Sequence, residues 1–471
     1  MKLTDFPTSL AFDISWLCQK LNESLWQNDK TAGKVTNLEI LQTSESSKRI
    51  SALFEASIVD VEGHSHKQLF LGITVLPEKF QEELRLIRRI PKVQPHFGEA
   101  ITLFPEASLI LLAFPNDRHM QLFSEEMLQQ WLKSHLSEVA NGALNSQSGQ
   151  VTDTKIDVLR YVPGKRYTVR CHVKMQADSQ KPVEITFIAK QLKNIKKAQK
   201  LYENLRDLPA FWQQNGTNRV PQASASIQIP KPLALEKEKG IVFLEDIPGE
   251  NLADSLANID IPAIMPSVGE LLANFHCAGR TVGRTISIQG ELKKLRESIR
   301  LVTKRLPELR PRLKSFYEKM SAKQPDASEI ECLLHGTFRL NHIFIHEQKL
   351  ALLDFDSVCT GHPAYDIANF ISALYYFEFQ QRMTTTQRVD ITRYFLEGYS
   401  ANAKWPVSND ILLWHLANML IKKQAHKYVK HLMQNREEQV IRLIHIAEKM
   451  CDKCHQPDAA LMTNTAAYLP L

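Results

Sequence analysis

Residues 333–370, LLHGTFRLNHIFIHEQKLALLDFDSVCTGHPAYDIANF, place three signals close together. A polar turn opens on His335-Gly336, a carboxylate pair (Asp354, Asp356) follows an apolar run, and Asp366 lies beyond a Gly-His-Pro turn. Leu350–Leu353 reads as a buried strand, a short apolar run bounded by polar residues. Asp354 then stands where the strand ends, a position from which a carboxylate can reach a metal ion. The same pair also suits a turn and cap, because Asp bonds nearby backbone groups. Alone, the pair leaves both readings open.

Working outward, the chain of 471 residues has room for two or three domains with cores. Its 44% hydrophobic and 23% charged residues are those of an ordinary globular protein. The net charge of +6 is too mild to argue for nucleic acid, though it suits an anionic ligand. The first residues, MKLTDFPTSLAFDISWLCQK, lack the basic start and unbroken apolar core of a secretory signal, and no run approaches a membrane span. A cytoplasmic protein with no membrane or nucleic-acid partner is expected. The odd number of scattered cysteines fits reduced, buried thiols.

Residues 1–150 form an N-terminal α/β region of uncertain role. SALFEASIVDV and KQLFLGITVL read as strands around a hairpin at Glu62-Gly63-His64. EKFQEELRLIRRI and SEEMLQQWLKSHLSEVANGA have helical periodicity, the second with a Ser cap and acidic first turn. The polar run LNSQSGQVTDT at 144–154 reads as a linker. From 151 to 250 the pattern is β-rich: two strands around Pro163-Gly164-Lys165-Arg166, then EITFIAKQL carrying Lys190, a basic helix carrying Glu203, and GIVFLEDIPGENL. Lys190 and Glu203 can form an ion pair, or end a strand and sit on a solvated face respectively. Residues 251–471 are mostly helical. Within them KKLRESIRLVTKRLPELRPRLK reads as docked helix with a solvated basic face.

Tyr161-Val162-Pro163-Gly164, Lys190, FLEDIPGENL, LLANFH, HGTFRLNH, LLDFD, GHPAYD and FLEGY occur in the order seen in aminoglycoside phosphotransferases. Over roughly residues 155–450 the chain resembles that family of small-molecule kinases. The resemblance implies an α+β, two-lobed protein-kinase-like fold, with a β-rich N-lobe and a helical C-lobe, beside the additional N-terminal region. It also implies ATP and Mg²⁺ as cofactors and a small hydroxylated substrate such as a sugar, aminoglycoside-like compound or amino alcohol.

Residue by residue, the resemblance makes Asp354 the Mg²⁺ ligand, assisted by Asp356, and Asp366 a brace for the catalytic loop. Lys190 would pair with the α- and β-phosphates, with Glu203 as its partner. Gly164 lies in a shortened turn over the phosphates, and Glu245 to Ile247 form the hinge that meets adenine. In the loop the family has Asp where Thr337 stands and Asn where His342 stands, unless a one-residue slip gives that second role to Asn341. Arg339 either contacts phosphate or partners Asp366.

Thr337 cannot act as a base near neutral pH, although it can orient a hydroxyl. His342 is a poor ligand for Mg²⁺, which prefers oxygen. Two functions of different class remain: an ATP-dependent phosphotransferase with an atypical loop, and a pseudokinase-like module that binds nucleotide or ligand without transfer. Cys451, Cys454 and His455 match the haem-attachment pattern C-x-x-C-H, and a zinc site is also conceivable, but chance occurrence at a helix end is the expected explanation. The N-terminal region is left with three roles: capping the β-rich lobe, forming a homo-oligomer, or contacting substrate.

Overall fold

The computed structural model describes residues 11–454 apart from 25–32, 46–48, 121–123, 141–148, 178–182, 215–227, 279–282, 327–329, 348 and 432–434. The chain divides into two compact units: Met1–Lys200 with Pro232–Asp246, and Leu201–Lys231 with Ile247–Leu471.

The first unit opens with α1 (Ile14–Ser24), β1 (Gly33–Glu45), β2 (Arg49–Asp60), β3 (Ser65–Val75), α2 (Phe80–Arg88), β4 (Ile101–Phe104), β5 (Leu109–Ala113) and α3 (Glu125–Ala140). It continues with β6 (Gly149–Val162), β7 (Arg166–Ala177), β8 (Val183–Leu192), α4 (Ile195–Gln214), within which the division between units falls, β9 (Pro232–Glu236) and β10 (Ile241–Glu245). Its strands make two antiparallel sheets, ordered β1-β2-β3-β5-β4 and β6-β7-β8-β10-β9.

The expected hairpin joins β2 to β3, and the Asp60 carboxylate closes it by accepting from the amides of Glu62 (2.9 Å) and His64 (2.8 Å). Both faces of the first sheet are covered. Phe54, Ala56, Ile58 and Phe70 pack with Leu17 and Leu21 of α1, whereas Leu53, Leu71, Ile73 and Ile110 share a core with Val169, Phe187 and Phe243 of the second sheet. Leu84 of α2 and Leu128 and Leu132 of α3 belong to that shared core, and Trp131 stacks on Phe243 at 3.8 Å. The N-terminal residues therefore form a second β layer over the sheet that carries Lys190.

β6 begins at Gly149, inside the polar run read as a linker. Val151, Ile156 and Val158 pack on the shared core. A bulge between Val151 and Asp153 breaks the alternation that would have marked the strand.

The second unit holds β11 (Glu250–Asn251), α5 (Ile261–His276), α6 (Ile288–Arg305), α7 (Arg310–Ala322), β12 (Cys332–Leu334), β13 (Ile343–His346), β14 (Lys349–Leu352), β15 (Cys359–Gly361), α8 (Ala364–Phe379), α9 (Thr385–Asn402), α10 (Asn409–Met419), α11 (His426–Lys430) and α12 (Arg436–Lys453). Small sheets β11-β13-β14 and β12-β15 frame the opening stretch. The basic run forms α6 and α7, which bury Leu292, Leu295 and Val302, then Leu313, Phe316 and Met320, as amphipathic helices do. A β-rich unit followed by a helical one is the α+β, two-lobed kinase-like arrangement expected from the order of the motifs. Among the described residues no helix is long and apolar enough to cross a membrane.

Candidate active site

β12 delivers the loop that starts at His335. Gly336 has φ 78°, and a Cβ there would collide with the Ser357 carbonyl oxygen, so the turn requires glycine. Asp366, in the first turn of α8, is wholly buried and accepts from the amides of His335 (2.6 Å) and Gly336 (2.9 Å). A buried carboxylate is costly unless it is bonded. Here two amides and the positive end of α8 stabilise it. His276, the last residue of α5, lies 3.4 Å from the same carboxylate through Nε2 and 2.9 Å from the Tyr399 hydroxyl through Nδ1. The brace expected of Asp366 is thus present.

The loop is also tied to the strand that ends at Asp354. His335 Nε2 donates to the Leu353 carbonyl (2.9 Å), and the Leu353 amide donates to the His342 carbonyl (2.8 Å). Burial pushes the His335 imidazole below its usual pKa, which favours the neutral ring. Asp354 itself has φ 66° and ψ 57°, the left-handed region, uncommon outside glycine and concentrated at functional sites.

The His342 ring is buried, with Nε2 3.1 Å from Asp354 Oδ2. The Arg339 guanidinium lies 3.0 Å (Nε) and 2.8 Å (Nη2) from that same nitrogen. One imidazole nitrogen cannot be donor and acceptor at once. Protonated, Nε2 bonds Asp354; unprotonated, it accepts from Arg339. Of the two registers considered for the loop, it is His342 that meets Asp354. Thr337 is half-buried beside Phe338, and Asp356 lies in the 3₁₀ turn Phe355–Ser357. Thr337, Arg339, His342, Asp354 and Asp356 are all in the second unit.

In the first unit Lys190 is buried on β8, opposite Thr168 of β7 and Val242 of β10. Gly164 (φ 67°) turns β6 into β7, and its amide donates to Asp117 Oδ2 at 2.5 Å. Glu245 closes β10 opposite Phe187, and the next residue, Asp246, is held by Arg170 at 2.7 Å. Glu203 is half-buried on α4, and Ile247 is buried at the start of the second unit's main segment.

Several neighbours went unnoticed in the sequence. Asp117 comes from the N-terminal layer, and Asn369 and Lys423 from α8 and from the π-helical turn Leu420–Ala425. The last two had a readable signal: Asn369 lies three residues after Asp366 on one helix face, and two lysines adjoin within an apolar helix. At the C-terminus, His455 lies outside the described residues. Cys451 and Cys454 are buried at the end of α12, burial pushes the Cys454 thiol up to about 12, and Lys323 caps the carbonyls of Cys451, Asp452 and Cys454. Among the described residues no three His, Cys, Asp or Glu side chains cluster to hold a metal.

A braced His-Gly loop tied to a carboxylate at a strand end, preceded by a β-rich unit with a buried strand lysine, defines a kinase-like phosphotransferase architecture. Residues 218–404 match the phosphotransferase enzyme family, and the family recognised in the motifs is thereby borne out. The chain is also similar to the acyl-CoA dehydrogenase family member 11 of Homo sapiens, 36% identical over 70 residues, and of Mus musculus, 40% identical over 55. These matches cover 14% and 11% of this chain and span only 9% and 7% of the relatives' own length. Among solved structures, a choline kinase from Streptococcus pneumoniae is 14% identical, covering 70% of this chain and 98% of that one, with a TM-score of 0.43. A macrolide 2′-phosphotransferase from Brachybacterium faecium is 13% identical, with 70% and 98% covered and a TM-score of 0.39.

Proposed function

We propose that this chain is an ATP-dependent phosphotransferase acting on a hydroxyl of a small molecule. The observation that supports it most is the coupling of loop to carboxylate: Leu353, immediately before Asp354, bonds His335 through its carbonyl and His342 through its amide. That arrangement fixes Asp354 relative to the loop, and phosphoryl transfer is mainly a matter of such positioning.

In this reading Asp354 and Asp356 hold Mg²⁺ through carboxylate oxygens. Two carboxylates suit an ion that leaves its other positions to water and phosphate. When bound, the ion would offset phosphate charge. Were Asp354 to hold the ion, its carboxylate would no longer take the His342 N–H, and His342 Nε2 would be left to accept from Arg339. Lys190, with Glu203 as its partner, pairs with the α- and β-phosphates, the Gly164 turn covers them, and Glu245 to Ile247 offer backbone groups to adenine. Thr337 orients the acceptor hydroxyl, and Arg339 neutralises phosphate charge. Without the family's Asp, the rate forgoes the 10²- to 10⁴-fold that a general base typically supplies.

Thr337 also favours a second reading, a pseudokinase-like module that binds nucleotide and transfers nothing. Titration with ATP tests both: binding is expected to require Mg²⁺ and to be lost in Asp354→Ala. Metal-independent binding, or none, sinks both readings. If Mg²⁺-dependent binding is present but ADP release over a panel of hydroxylated compounds occurs only in Thr337→Asp, the second reading replaces the first.

A further inference from the structure

The helices that follow α9 carry a cationic face unused by the roles above. Residues 420–430, LIKKQAHKYVK, hold Lys422, Lys423, Lys427 and Lys430 and no carboxylate. Their first part is the π-helical turn, a feature recurrent at functional sites because the wider turn re-aims side chains. Lys422 is answered by the buried Glu291. Lys423 meets uncharged groups: Nζ donates to Asn369 Oδ1 at 2.6 Å and lies 5.7 Å from the Tyr365 ring centroid.

One turn further, Lys427 Nζ stands 3.4 Å from the centroid of Tyr376. Asn369 and Tyr376 share a face of α8, two turns apart. Asn369 also passes the contact to the loop, its Nδ2 donating to the Phe338 carbonyl at 2.9 Å. Lys423 is therefore one amide group away from the backbone next to Thr337.

The carboxylates within electrostatic reach of Lys423 are already engaged. Asp366 holds the amides of His335 and Gly336, and Glu291 binds Lys422 and Lys294. A cationic acceptor would meet repulsion here and find no carboxylate on residues 420–430. We propose that the acceptor is a hydroxylated small molecule carrying an anionic group, carboxylate or phosphate, which Lys423 and Lys427 receive while its hydroxyl lies at Thr337. Burial, with Lys422 alongside, brings the Lys423 ammonium down to about 7, a charge that a bound anion would stabilise. The proposal rests on the kinase reading and deepens it to a substrate class.

The test is calorimetry on the full chain with Mg²⁺ and a non-hydrolysable ATP analogue, titrating gluconate, glucose 6-phosphate, glucose and kanamycin. One anion is expected to bind at least about tenfold tighter than glucose, the gain of one charge-assisted contact, and which anion it is separates carboxylate from phosphate. Lys423→Met should weaken that anion by about 10- to 100-fold while leaving glucose and the nucleotide unchanged, and Lys423→Arg should restore most of it. Lys427→Met supplies the same comparison should the first variant not fold. Equal or tighter binding of glucose or kanamycin, no anion binding, or an unaltered anion affinity in the folded variants overturns the proposal. If wild-type chain fails to bind the nucleotide, the kinase reading falls by itself, and the anion-to-glucose comparison without nucleotide still decides this one.

Discussion

Asp366 fixes the loop through two amide bonds to a side chain with no exposed surface. Asp366→Asn keeps the size but turns one acceptor into a donor, so an NH₂ would face the amide of His335 or Gly336. Bonds to a buried charged group contribute about 1.5–3 kcal/mol each, so a loss of roughly 2–4 kcal/mol is expected in urea unfolding. A midpoint equal to wild type would show that the carboxylate is not carrying the loop. At Thr337 the kinase reading predicts the opposite sign: Thr337→Asp should raise transfer by about 10²- to 10⁴-fold in an ADP-release assay. Asp366, Asp354 and the two departures from the family motif were legible in the sequence because they sit within one short stretch. His276 and Tyr399 end two of the motifs, LLANFH and FLEGY, but their contacts with each other and with Asp366 were not legible, since these join segments far apart in the chain.

At the scale of elements, the β6–β7 turn is anchored by the N-terminal layer. Asp117, buried after β5, accepts from the Tyr161 hydroxyl (2.8 Å), the Gly164 amide and the His119 amide (2.9 Å). Asp117→Asn removes the charge from three donors and should loosen the turn locally. Amide exchange in the peptide containing Gly164 is expected to rise about tenfold or more, as 1.4 kcal/mol of lost protection would give, while β8 keeps its protection. Unaltered exchange at the turn would mean that the layer covers the sheet without governing it. This link was invisible in the sequence because neither Asp117 nor the turn has a period that points to the other. Regular periods served well elsewhere: the β2–β3 hairpin, α2, α3 and the amphipathic α6 and α7 lie where alternation or helical spacing put them. They failed where a residue is inserted at the bulge in β6, whereas the stretch after α10 is helical as its spacing suggests, with a π turn that sets two consecutive lysines inward.

For the molecule as a whole, the order of a β-rich unit before a helical one was legible from the motifs, whereas the covering of one sheet by another was not, because strands of either sheet read alike. The second unit's core contributes to acid stability. His362 Nδ1 accepts the Ala364 amide at 3.1 Å, and burial, helped by His276, lowers its pKa to about 4. His415 is brought down to about 3, chiefly by burial. Both are neutral in the folded chain and take up a proton near pH 6.5 when unfolded. Between pH 6.5 and about 4 the unfolded state thus binds more protons, and stability must fall as the pH falls. Each group contributes up to about 1.4 kcal/mol per pH unit over its window. Glu291 acts in a lower window. Burial would raise its carboxyl, but the ammoniums of Lys422 and Lys294 outweigh burial and hold it down to about 2, so its contribution is lost between about 4.5 and 2. Urea unfolding from pH 7 to 4.5 therefore reports the histidines with Glu291 still charged in the folded chain. His362→Asn, which offers an oxygen to the Ala364 amide and cannot titrate, is expected to flatten that slope by about one proton. A slope equal to wild type would show that His362 is already charged in the folded chain, or that the unfolded state does not bind the extra proton.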